Sequence, residues 1–134
     1  MNFAWFAAFI THPATLISIG GAVGCNARYW LGLWFRAQPW AKDFYWGTLV
    51  INVTGSIVLG VVAALFKDRA GIGYLLLGTG FCGGYTTFST FSLEVAESIQ
   101  KGRCDLAAIY VSTSVIAGFL GFAVALMLVR QAEG

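Results

Sequence analysis

The residues best suited to chemistry lie in one run, Gly80-Phe81-Cys82-Gly83-Gly84-Tyr85-Thr86-Thr87-Phe88-Ser89-Thr90-Phe91-Ser92. Two adjacent glycines, five Ser and Thr hydroxyls and two phenylalanines three apart sit there inside an otherwise apolar span. Glycines followed by β-branched threonines suit local unwinding of a helix, expected at Gly83-Gly84 and the threonines after them. Unwinding frees carbonyl oxygens, which are hard ligands for a hard cation. Beyond the break, Phe88 and Phe91 share a helix face at i, i+3, Ser89 and Ser92 share another, and Thr90 and Glu94 are four apart. Aromatic ring edges are positive, so two of them touch an anion without the grip of a full charge, and neighbouring hydroxyls replace part of its hydration shell. Conduction requires such moderate, multi-site binding. Aromatic pairs in membrane helices more often serve packing; the density of hydroxyls beside this pair favours an ion path.

The elements that must position this run are apolar helices. Of 134 residues, 58% are hydrophobic and 10% charged, with mean hydropathy +0.76. Four apolar blocks, at residues 14–35, 46–66, 72–99 and 106–129, each reach the roughly 20 residues needed to cross a bilayer. The expected fold is an all-α membrane protein, one domain over 1–134, with four transmembrane helices and the third broken mid-membrane near 83–87. Unwound backbone at that depth is tolerated only where protein or a water path covers it. Charges gather in the short connections, and no basic run points to nucleic acid. Lys and Arg divide almost evenly, with Arg36, Lys42, Lys101 and Arg103 on one side and Lys67, Arg69 and Arg130 on the other. An excess of these residues normally fixes orientation. A near-tie is compatible with two orientations in the membrane, or with one set by a single dominant loop residue.

Small and polar residues recur every four positions: Gly20, Gly24, Arg28, Gly32; then Thr48, Asn52, Ser56, Gly60; then Tyr110, Ser114, Gly118. Each series lies on one helix face, where small residues allow close approach. Arg28 either snorkels to the first loop or stands in a water path; Asn52 is either interhelical glue or a polar group on a route. Cys25, Cys82 and Cys104 lack disulfide or zinc spacing and read as small buried hydrophobes. His12, alone before Pro13, reads as structural. Met1 to Ile10 lacks a positive n-region and is expected at the interface or as an extension of the first helix, bent at Pro13. Gly21-Ala22-Val23-Gly24 follows no strand and is no nucleotide loop. With one histidine and no catalytic constellation, the chain is not expected to be an enzyme.

Residues 83–92 followed by Glu94 closely resemble the signature of the Fluc (CrcB) fluoride channels. Residues 47–56 (GTLVINVTGS) look like that family's second-helix motif, and Gly20-Gly21 through Arg28-Tyr29-Trp30 like its first helix. Tyr85 stands where leucine is common, and residues 1–10 look like an extension. The resemblance implies a passive, fluoride-selective channel that lowers cytoplasmic fluoride by letting it leave across the cell (inner) membrane. It also implies an antiparallel, dual-topology homodimer. Carried over by position, the backbone carbonyls of Gly83 and Thr86 from both subunits hold a structural Na⁺, and Phe88 and Phe91 line the ion path. Ser89, Thr90 and Tyr110 form its polar track, Asn52 is a pore donor, and Arg28 stands at an aqueous vestibule. Glu94 matches the family's third-helix acid.

Two other readings are open to a small helical membrane protein. A dual-topology multidrug exporter needs a carboxylate in its first helix, and here that helix has Arg28 and no acid. A non-transporting membrane subunit predicts no ion flux from liposomes containing this chain alone.

Overall fold

The computed structural model describes residues 3–134, with side chains from Trp5 onward; Met1 and Asn2, part of the expected N-terminal extension, lie outside the described residues. Every regular element among them is helical. A short apolar helix, α1 (Phe3–Ile10), precedes α2 (Pro13–Ala37), and the chain turns between them at Thr11-His12. His12 ends the turn as the N-cap of α2: its Nδ1 accepts the Ala14 N–H at 3.3 Å, and Pro13 follows where a missing N–H costs nothing. The structural role expected of His12 is therefore a cap.

After a single 3₁₀ turn, Pro39–Ala41, comes α3 (Trp46–Leu65). Next is a helix of wide, π-type turns, Tyr74–Cys82, running directly into one α-turn, Gly83–Tyr85; together they form α4. Two extended residues separate it from α5 (Phe88–Gln100), and α6 (Cys104–Ala132) completes the chain. The helices α3 and α6 are each long and apolar enough to cross a membrane. At 20 residues α3 measures about 30 Å, the thickness of the hydrocarbon core. Among the described residues the fold is thus all-α, with two helices suited to crossing a membrane.

The helices pair as α3 with α6 and α2 with α4. Without a hydrophobic push in lipid, close packing must hold them, and glycine permits it. A Cβ at Gly24 would run into the Phe81 carbonyl and the Tyr85 N–H of α4, and one at Gly84 into the backbone of Gly21. On the other pair, a Cβ at Gly60 would strike the Phe122 carbonyl of α6. These contacts are backbone on backbone, so no side chain can yield.

The break falls within the expected 83–87, at its threonine end. Gly83 keeps helical torsions (φ −64°, ψ −38°), and the unwound residues are Thr86 (φ −80°, ψ 160°) and Thr87 (φ −149°, ψ 117°). The reason is packing: Gly84 is spent on the approach to α2, while β-branched threonines take extended backbone readily.

Gly84→Val should therefore lower the unfolding temperature in detergent sharply, by the equivalent of about 2 kcal/mol or more. Gly32→Ala is the matched control, because a Cβ at Gly32 meets nothing within 4 Å. Equal loss in both variants would contradict the seam.

Candidate functional site

In an uninterrupted helix the Thr87 N–H would donate to the Gly83 carbonyl. Here it donates instead to Asn52 Oδ1 at 2.8 Å, and Asn52 Nδ2 donates back to the Thr87 carbonyl at 3.1 Å. The amide of Asn52 thus meets both backbone groups of Thr87 in the manner of a strand neighbour, and the Gly83 carbonyl loses its ordinary donor. An unmet peptide group at membrane depth costs several kcal/mol, so this pairing is what makes the break tolerable. One Nδ2 hydrogen remains for another acceptor.

The same stretch of α3 supplies the rest of the cradle. Gly55 leaves room for Thr86, whose methyl occupies the place a Cβ at Gly55 would take. Thr86 turns its hydroxyl back to the Cys82 carbonyl at 2.9 Å, closing α4, and Arg28 Nη1 on α2 reaches the Thr86 carbonyl at 3.5 Å. On the far side Thr87 is the N-cap of α5. Its Oγ1 accepts the Thr90 N–H at 3.2 Å and lies 3.1 Å from both Ser89 Oγ and Thr90 Oγ1.

Two cavities meet at this point. The larger, about 660 Å³, is walled by α2, α3, α5 and the first loop; Arg28, Arg36 and Lys42 face Glu94, Thr87 and Thr90 there. The second, about 440 Å³, holds Asn52, Ser56, Gly83, Thr86, Thr87, Phe88, Phe91 and Ser114. Thr87 belongs to both. Phe88 and Phe91 lie 5.8 Å apart between centroids, and Phe88 is 79% exposed, a large apolar ring with little of its own chain to cover it.

Glu94 ties three helices together. It accepts from Thr48 Oγ1 of α3 at 2.8 Å and from Tyr110 Oη of α6 at 2.6 Å. Tyr110 is fully buried against Phe44, Tyr45 and Phe91. Of the residues singled out in the sequence, the structure brings Asn52, Gly83, Thr86, Phe88 and Phe91 into one cavity, and Arg28 and Thr90 into the other, with Ser89 joined to them through Thr87. Tyr110 stands behind the wall and reaches the site through Glu94. The residue that sequence reasoning passed over is Ser114. Its Oγ is buried with no partner, at the Phe-lined cavity; the signal was its place one turn after Tyr110 on the small-residue face.

No group of three or more His, Cys, Asp or Glu side chains able to hold a metal occurs among the described residues.

An all-α protein with long apolar helices and a broken helix between two cavities has a form suited to a membrane channel. Residues 15–126 match the family model described as CrcB-like protein, Camphor Resistance (CrcB), and the chain belongs to that family. It is 43% identical over 125 residues to a protein of Erythrobacter litoralis, covering 87% of this chain and 92% of the relative. It is 42% identical to proteins of Nitrobacter winogradskyi (85% and 92% covered) and Gloeobacter violaceus (81% and 89%). All three relatives bear the name fluoride-specific ion channel FluC. Membership of this family makes the chain a channel-type protein and not an enzyme.

Asn52→Leu removes both partners of Thr87 and should destabilise the protein by about 2–4 kcal/mol, read as a fall in unfolding temperature. Asn52→Asp keeps the acceptor for the Thr87 N–H and should fall less. Equal stability of Asn52→Leu and the unaltered protein would remove Asn52 from the break.

Proposed function

We propose that this chain is a fluoride-selective passive channel of the cell (inner) membrane, lowering cytoplasmic fluoride by export. The observation that carries the reading is the second cavity: two adjacent phenylalanine rings and the spare Asn52 donor converge beside a helix break. That donor set suits a small, strongly hydrated anion: ring edges and neutral hydrogen-bond donors replace part of its water without trapping it. The names of the relatives supply the anion.

The larger cavity is the aqueous vestibule. Arg28, Arg36 and Lys42 outnumber Glu94 there and draw anions inward. From it the path passes Thr87, Ser89 and Thr90 and then Phe88 and Phe91. Tyr110 acts through Glu94, occupying that carboxylate and keeping it off the path.

Four crossings carry this arrangement: α2, α3, α4 with α5 as one broken span, and α6, as a single domain over 1–134. The working unit is an antiparallel homodimer of dual topology. Supporting this are the near-tied loop charges, the exposed Phe88, and Gly83, beside which a Cβ meets nothing of its own chain. A second, inverted copy sets the two breaks against each other about an axis in the membrane plane. The Gly83 and Thr86 carbonyls then hold a structural, untransported Na⁺. The residues fit: the Gly83 carbonyl has lost its helical donor, and the Thr86 carbonyl keeps a lone pair beside the one facing Arg28. Hard cations gather several oxygens; two from one chain do not close a site, and the second copy doubles them.

In fluoride-electrode efflux from liposomes, Phe88→Ile and Phe91→Ile should each cut the rate at least ten-fold, because aliphatic groups have no positive edge. Wild-type rates in both would overturn the path.

Dual topology is tested by Asp68→Cys in a background lacking the native cysteines. An impermeant thiol reagent should label about half the protein from each side of the membrane, as an unbiased loop-charge balance predicts. Labelling from one side alone would exclude the antiparallel dimer.

A further inference from the structure

Tyr85, the residue immediately before the break, makes contacts that none of the roles above uses. Its ring is 8% exposed and stacks on Phe81 one turn earlier, at 5.5 Å and 10° between planes. Its Oη lies 3.0 Å from Thr54 Oγ1 on α3. The direction of that bond follows from Thr54. The single Thr54 proton goes to the Val50 carbonyl at 2.6 Å, so Thr54 Oγ1 accepts and Tyr85 Oη donates. A phenol buried in an apolar bundle needs such a partner, and here it finds one two residues from Asn52.

We propose that Tyr85 is a positioning residue for the cation site: Thr54 holds its hydroxyl, and the pair aims the Thr86 carbonyl. The geometry is that of one peptide plane. The Thr86 carbonyl and the Thr87 N–H belong to the same planar unit and point in opposite directions. Asn52 Oδ1 fixes the N–H end. That bond restrains the rotation of the plane from its N–H end; where the carbonyl end lies follows from where Tyr85 and Thr86 sit. Thr86 is tied to Cys82 in its own helix, through its N–H at 3.0 Å and its hydroxyl at 2.9 Å; outside it, Arg28 Nη1 of α2 reaches its carbonyl at 3.5 Å and its methyl rests against Gly55 of α3. The bonds to Cys82 move with α4. The Tyr85–Thr54 bond is the side-chain hydrogen bond that fastens the last turn of α4 to α3, the helix that also carries Asn52. With both ends referred to α3, the carbonyl keeps its direction; with one released, it swings with α4.

This inference rests on the proposed Na⁺ site, and the test separates the two. Purified protein in detergent is depleted of Na⁺ against a large organic cation, and its unfolding temperature is then followed as Na⁺ is returned. A ligand bound by the folded state raises that temperature with a half-point set by its affinity. For Tyr85→Phe and Thr54→Val the half-point should move about five-fold to higher Na⁺, the weight of one hydrogen bond. The double variant should move no further than either single one, because the two residues act as one unit. Thr54→Ser, which keeps the acceptor, should retain the wild-type half-point. Fluoride efflux should follow the same Na⁺ dependence. Lower unfolding temperatures at every Na⁺ concentration with an unmoved half-point would make the pair ordinary packing and overturn the proposal. A wild-type protein that Na⁺ does not stabilise at all would overturn the cation site itself, and the positioning role with it.

Discussion

The structure depends on one requirement: two extended residues between α4 and α5, packed within an apolar helical protein, must have their peptide groups met by a partner. Asn52 meets it. Its primary amide has the donor and acceptor of a peptide bond, and by pairing with both groups of Thr87 it stands in for the missing helical neighbours. The consequence runs in two directions. Thr87 can leave the helix with both its peptide groups met, while the Gly83 carbonyl, beside the second cavity, loses the Thr87 N–H as its helical donor.

Everything else near the break serves to keep α3, α4 and α5 in the register that this pairing needs. Gly55 lets Thr86 lie against α3, and the glycine seam between α2 and α4 fixes the depth of α4. Glu94, held by Thr48 and Tyr110, locks α5 to α3 and α6 one turn and a half beyond the break. Such a network is cooperative: its members are polar groups in a medium of low dielectric, where each unmet partner is costly. The aromatic rings and hydroxyls that an anion would meet are therefore carried on helices whose relative positions are set from both sides. Pre-set geometry of this kind lets neutral donors select a small ion, since they need not reorganise around it.

Much of this was legible in the sequence, for identifiable reasons. Apolar length and charged seams mark the helices, and glycine at four-residue spacing marks the faces that approach closely. The run from Gly83 to Ser92 announces a break because its composition is unlike that of its flanks. The break was legible to within 83–87; that only its threonines unwind was not, because Gly84 is committed to tertiary contact with Gly21 and the extended pair is Thr86-Thr87. Asn52 was left open between glue and pore, and it pairs with backbone while keeping one free hydrogen. Tyr110 and Ser114 lie on one face, yet their roles divide because Glu94 takes the first hydroxyl and nothing takes the second. Pairings across sixteen positions (Glu94 with Tyr110) and thirty-five (Asn52 with Thr87) decide such cases, and no local pattern encodes them.

The most direct measurement is solid-state NMR of the labelled protein in bilayers, reading backbone shifts and amide exchange at Thr86 and Thr87. The account predicts extended-backbone carbon shifts at both residues, a Thr87 N–H protected as well as those within α3, and a through-space contact from that N–H to the Asn52 side-chain amide. Helical shifts running unbroken from Tyr85 to Phe88, or a Thr87 N–H that exchanges freely with water, would contradict it.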